Sequence, residues 1–151
     1  MHRIKIHQGK VASLEVDAIV SPIVIEEAAN NRFQSPDCPV GEVRFVPASN
    51  GTARAVIEEV GPAWRGGDHE EEEQLASCYR KAMDMAKRQN FRNIAFAPIA
   101  GGARGFPANR ASRIAVQQVD SALRQNPLME SVIFCCSDPL TTALYRSQVG
   151  R

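Results

Sequence analysis

The chain has 151 residues, 44% of them apolar and 23% charged, with a formal net charge of +1. Such a composition suits one folded domain that buries roughly two thirds of its unfolded surface, and it argues against disorder. The near-neutral balance gives no general attraction to nucleic acid, and no apolar run approaches the ~20 residues of a membrane helix, so neither partner is expected. No signal peptide precedes the first strand, which makes a cytoplasmic location the expectation.

Ile4 and Ile6 alternate with polar neighbours and predict a strand near residues 2–8. Ala18-Ile19-Val20, bounded by Asp17 and Pro22, reads as a short strand buried on both faces. Residues 21–41 lack clear periodicity apart from a short helix around Ile25–Asn30. Glu42–Val46 and Ala55–Val60 read as two strands joined by the Pro47–Thr52 turn, with Asn50-Gly51 as the turn signal. An irregular loop from Gly61 to Gly67 follows. Asp68 then stands three residues before Glu71, the spacing of a capping box. Leu75, Cys78, Tyr79, Ala82, Met83 and Ala86 recur at helical spacing and predict a helix over 69–89 with one buried face. Next come a strand over Asn93–Ala97, a glycine loop, and a helix over about 107–125 striped by Ala111, Ala115, Val119 and Ala122. Val132–Cys136 is a further buried strand. Asp138-Pro139 supplies an N-cap and first helical residue for a last helix reaching Gln148. Strands alternating with helices imply a mostly parallel sheet covered on both faces, within one domain over 1–151.

Cys38, Cys78, Cys135 and Cys136 show no zinc-type spacing. Cys135 and Cys136 are strand neighbours whose side chains face opposite sides, so they cannot share one ion comfortably. Buried structural thiols are the expectation, with Cys38 as the one loop thiol. His69 beside Glu70 to Glu73 invites a metal, but carboxylates at a helix start suit its dipole. No metal and no cofactor are expected.

The segment with the most chemistry is Ile99-Ala100-Gly101-Gly102-Ala103-Arg104-Gly105-Phe106-Pro107. A strand, a glycine loop and a helix start aim backbone N–H groups at an anion, and glycine lets the ligand approach closely. Its place at the carboxyl end of a strand is where parallel sheets bind ligands. Ala100, Gly101, Gly102, Ala103, Arg104, Gly105 and Phe106 are therefore the candidate phosphate-binding residues.

At this point the chain resembles the macro domain family of ADP-ribose-binding modules over nearly its whole length. Val16-Asp17-Ala18-Ile19-Val20 is similar to the family's second strand, and Gly41-Glu42-Val43 to its Thr-Gly-Glu-Ala step. Val60-Gly61-Pro62-Ala63-Trp64, Cys78-Tyr79 and Ile99 to Pro107 resemble further signatures. The resemblance implies a three-layer α/β/α sandwich with a mixed, mostly parallel central sheet. It also implies a small phosphate-bearing ligand such as ADP-ribose, with Ser21, Ser137 and Asp138 completing the site.

Departures from the family pattern bear on function. Lys10 stands where the family carries a carboxylate for adenine, and Ser21-Pro22-Ile23-Val24 replaces Asn-Ala-Ala-Asn, whose asparagine assists hydrolysis in active members. The glycine-rich first loop is missing, leaving only Glu26 to Pro39. Arg104 replaces an aromatic between two glycines, and Ser137 an aromatic that often stacks on adenine. Arg104 reads either as a phosphate partner or as a solvated arginine at a loop tip. Phe106 and Trp64 read as packing residues, and Lys10, Arg110 and Arg113 as surface cations. The resulting expectation is weak binding of ADP-ribose or a related ligand, with no catalytic residue assigned. An ADP-ribosyl hydrolase and a scaffold that has lost its ligand, open to self-association, remain as alternatives.

Overall fold

The computed structural model describes residues 2–22, 39–47, 53–99 and 105–150. The helix expected around Ile25–Asn30 and the Asn50-Gly51 turn lie outside those residues. Strands β1 (Ile4–Gln8), β2 (Ala18–Pro22), β3 (Val43–Pro47), β4 (Ala55–Glu59), β5 (Asn93–Phe96) and β6 (Ser131–Cys136) form one sheet in the order β1-β6-β5-β2-β4-β3. All neighbouring pairs run parallel except β3 with β4. Three helices, α1 (Glu71–Arg88), α2 (Ala108–Arg124) and α3 (Pro139–Val149), complete the described elements with a one-turn 3-10 helix at Val11–Ser13. This is the expected α/β sandwich with a mixed, mostly parallel sheet, and every strand and α-helix above falls within about two residues of its sequence reading.

Strand alternation sorts the core. Ala18, Val20, Ala55, Ile57, Ile94, Phe96, Val132, Phe134 and Cys136 point to one face, where they meet the apolar stripes of the α-helices. Leu75, Tyr79, Ala82 and Met83 come from α1, Ala115 and Val119 from α2, and Tyr145 from α3. Ile19, Ala95 and Ile133 point the other way, toward Val16, Ala53 and the Val11–Leu14 segment. All three α-helices therefore share one face, and among the described residues the 3-10 turn is what covers the other. Connection handedness explains the split. The chain steps from β4 through β5 to β6 in one direction across the sheet, so right-handed crossovers keep α1 and α2 on a common side. The passage from β1 to β2 runs in the opposite direction and crosses on the opposite face.

Two clamps hold the sheet's amino end. The Asp17 carboxylate accepts the Arg92 N–H at 2.7 Å, while its carbonyl accepts the Arg54 and Ala55 N–H groups at 3.0 and 3.1 Å. The Arg3 guanidinium donates to the carbonyls of Leu123, Asn126 and Met129 at 2.6, 2.9 and 2.8 Å, closing the C-terminal end of α2. Both devices leave the opposite, carboxyl edge of the sheet to the loops that form the site.

One local expectation is corrected. Asp68 does not cap α1. The helix begins at Glu71, its N-cap is Glu70 with φ of 64°, and the Glu70 side chain makes no capping hydrogen bond. Glu71 does not sit in solvent as part of an acidic helix start. It is buried and turns back onto the preceding loop, accepting the N–H groups of Arg65, Gly67 and His69. The 61–69 loop, with positive φ at Gly66 and Gly67, curls its amides toward one carboxylate, and that arrangement satisfies donors a capping box would have left open.

Candidate ligand-binding site

Because five strands are parallel, their carboxyl ends lie along one edge, and the order reverses direction between the neighbours β2 and β5. That reversal is the topological switch point where ligands of open α/β sheets sit. Around it gather Ser21 at the end of β2, Ala97 to Ile99 beyond β5, and Ser137 and Asp138 beyond β6. Gly9 beyond β1 is drawn to the same edge by its N–H bond to the Cys136 carbonyl at 2.9 Å.

The edge is tied together from beneath. The Ala97 N–H bonds the Val20 carbonyl at 3.1 Å, fixing the exit from β5 against β2. Gly41, with φ of +88°, donates to the Val60 carbonyl at 2.8 Å, and Ser77 Oγ donates to the Gly41 carbonyl at 2.8 Å. Lys81 and Glu42 form an ion pair on the same side. Glu59 is buried at the end of β4, and its Oε1 accepts the Gly61 N–H at 2.8 Å. Alternation with Ala55 and Ile57 puts this carboxylate on the core face, a polar residue in an apolar phase that the sequence reading passed over.

Tyr79 is the other residue that sequence reasoning underused. Its hydroxyl accepts the Ile99 N–H at 3.2 Å and lies 3.5 Å from the Tyr145 hydroxyl. Burial pushes the Tyr79 hydroxyl well above its ordinary pKa, with Tyr145 and the Glu59 charge acting in the same direction. Burial likewise pushes Tyr145 up. Both hydroxyls therefore stay protonated at physiological pH. A tyrosine on a helix's apolar stripe was the available signal, since a buried hydroxyl seeks a partner.

The sequence-derived site residues fall as follows. Ser21 is half-buried, in register with Glu58 of β4. Gly105 is exposed with φ of +73°, and Phe106 is buried. Ser137 is exposed. Asp138 is the N-cap of α3, as its sequence implied, with its carboxylate accepting the Thr141 N–H at 2.8 Å. Hydrogen bonds from the Thr141 backbone and side chain, opposed by partial desolvation, hold that carboxyl below its ordinary pKa. Ala100, Gly101, Gly102, Ala103 and Arg104 lie outside the described residues, as do Val24 and Cys38. Phe106 packs on Trp64 with ring centroids 4.8 Å apart, and the Arg110 guanidinium lies 5.5 Å from the Trp64 ring centre and 3.5 Å from Glu72. Lys10 is exposed. Cys78, Cys135 and Cys136 are buried thiols, Cys78 bonded to the Val60 carbonyl and Cys135 to that of Gly9, and desolvation pushes Cys136 up to about 11.

Residues 7–115 match the macro domain family, well over half of the chain. The chain belongs to the macro domain family. An O-acetyl-ADP-ribose deacetylase of Salmonella newport is 35% identical over 95% of this chain and 92% of its own length. A macro domain-containing protein of Mesorhizobium japonicum is 35% identical over 99% of this chain and 95% of its own. Among solved structures, the Trypanosoma brucei macrodomain in complex with ADP-ribose superposes with a TM-score of 0.81 at 26% identity, covering 98% of this macro domain and 69% of that chain. The macro domain of ganglioside-induced differentiation-associated protein 2 gives 0.84 at 28% identity, covering 97% and 82%.

Proposed function

We propose that this macro domain binds ADP-ribose or a related phosphate-bearing nucleotide, holding the phosphates on the backbone of residues 101–106 with Ser21, Ser137 and Asp138 around them. The observation that carries the reading is the convergence of the β2, β5 and β6 carboxyl ends at the point where strand order reverses. The ADP-ribose complex of the Trypanosoma brucei macrodomain, which shares the fold, supports the choice of ligand.

The affinity we infer is weak. Lys10 and Ser137 stand where the family offers adenine a carboxylate and an aromatic. A lost charge-assisted hydrogen bond costs ~1.5–3 kcal/mol and a lost stack ~0.5–1.5 kcal/mol. Each ~1.4 kcal/mol is tenfold in affinity, so a micromolar site moves toward millimolar. The alignment with the Salmonella relative spans 164 positions, more than this chain has residues, so that relative carries residues without a counterpart here. A shortened first loop accords with that difference. Calorimetric titration of ADP-ribose and of inorganic phosphate, repeated with Gly102→Glu, tests the assignment. Saturable binding that Gly102→Glu abolishes supports it, and binding indifferent to the substitution overturns it.

A second reading is hydrolysis of an ADP-ribose ester, favoured by the name of the Salmonella relative. Against it stands Val24, at the position of the family's catalytic asparagine. Acetate release from O-acetyl-ADP-ribose above the uncatalysed rate would establish this activity.

A further inference from the structure

Tyr79 exposes no surface, and its ring is fixed by Phe96 at 5.0 Å and Phe134 at 6.1 Å between centroids. Phenylalanine would fill that volume as well, so packing alone gives no reason for a hydroxyl. The hydroxyl's work is local: it accepts the N–H of Ile99, three residues beyond the end of β5. Ile99 is itself wholly buried. The backbone thus leaves the sheet with Ala97 bonded to β2 in the ordinary ladder, then with Ile99 bonded to a side chain of α1. Tyr145 of α3 approaches the same hydroxyl at 3.5 Å, and Asp138 caps the start of α3 on the far side of the edge. One hydroxyl therefore sets the direction in which the chain departs from β5 and also meets the helix behind β6.

We propose that Tyr79 is a positioning residue for ligand binding: by taking the Ile99 amide inward, its hydroxyl fixes the direction in which the backbone leaves β5. This rests on the reading that the segment after β5 holds the phosphates. Tyr79 touches no ligand. Without its hydroxyl the Ile99 amide loses its acceptor and the exit from β5 is no longer fixed, so apparent affinity falls with the fraction that stays competent.

The test compares Tyr79→Phe and Tyr145→Phe with the unsubstituted protein by amide hydrogen exchange and by calorimetry with ADP-ribose. For Tyr79→Phe, exchange at the Ile99 amide should rise about tenfold, with α1 and α2 core amides unchanged and the ADP-ribose Kd raised about tenfold, as the loss of one buried hydrogen bond allows. Tyr145→Phe, which leaves the Ile99 bond in place, should match the unsubstituted protein in both. Exchange that rises uniformly through the domain, or a Kd that stays constant, overturns the positioning role. If the unsubstituted protein binds no ADP-ribose, the ligand assignment falls and the exchange arm still decides: faster exchange confined to Ile99 supports the role, and unchanged exchange overturns it.

Discussion

Glu71 Oε2 accepts the Gly67 amide at 2.9 Å, so the first residue of α1 reaches back to hold the loop that precedes it. The Arg65 amide donates to the same oxygen at 2.8 Å and the His69 amide to Oε1 at 2.6 Å. Burial by itself would raise this carboxyl, but the converging backbone donors prevail and bring it down to about 2. A group whose pKa is depressed by folding adds stability above its unfolded value and loses it as the solution is acidified. The Glu71 contribution should therefore be complete above about pH 4.5 and disappear as pH falls toward 2. Urea unfolding of the native protein and of Glu71→Gln across that range measures it. The native protein should be the more stable at neutral pH, with the gap closing below about pH 4.5. A gap that stays constant down to pH 2 would show that the carboxylate's charge is irrelevant.

Arg3 answers for the opposite end of the molecule. Its guanidinium serves the carbonyl of Leu123 in the last turn of α2 and those of Asn126 and Met129 beyond it, a fork that ammonium cannot reproduce. Arg3→Ala should lower the unfolding free energy by ~1.5–3 kcal/mol, the range for hydrogen bonds to a charged group. Arg3→Lys should recover only part of that loss. Denaturant midpoints for the three proteins, at a common m-value, provide the check.

Which of these features could be read in the chain follows from how local each cause is. The strands Ala18–Pro22 and Ser131–Cys136 were legible because short apolar runs bounded by Asp17 or following Glu130 have few other uses. Asp138-Pro139 was legible because a cap acts within one turn, and its carboxylate does accept the Thr141 amide. The start of α1 was not. Asp68 and Glu71 have capping-box spacing, yet the positive φ values at Gly66, Gly67 and Glu70 bend the loop so that Glu71 meets amides upstream. The Tyr79–Ile99 bond joins residues 20 positions apart through the packing of α1 on the sheet, and no local pattern encodes it. At the site, the strand ends were predictable from the order of elements, whereas Glu59 required knowing which phase of β4 faces the helices.

Gly105 separates two reasons for glycine. Among the described residues a Cβ added there would meet nothing within 4 Å, so none of them limits the space. Its φ of +73° is the constraint. Gly105→Ala should therefore cost ~1 kcal/mol of backbone strain. Gly105→Asn, whose side chain tolerates the left-handed region better, should cost less. Thermal melts of both variants test the ordering, and an Asn variant less stable than Ala would refute a backbone origin.

Trp64 offers a direct view of ligand entry. It is the chain's one tryptophan, its ring lies 4.8 Å from that of Phe106, and Arg110 covers it at 5.5 Å. Phe106 follows Gly105 and leads into α2, so a ligand bound beside Phe106 changes the surroundings of the indole. ADP-ribose titration should shift or quench Trp64 emission with the same Kd that calorimetry gives. Phe106→Leu keeps an apolar side chain but removes the ring contact, and it should reduce the optical change while binding heat persists. Trp64→Phe, retaining an aromatic for Phe106 and Arg110, should leave affinity within about twofold, a difference well under the ~1.4 kcal/mol of a tenfold change. An emission signal that is flat while calorimetry shows saturable binding would mean that the Phe106 turn does not respond to the ligand, and the phosphates would then have to be sought nearer Ser137 and Asp138.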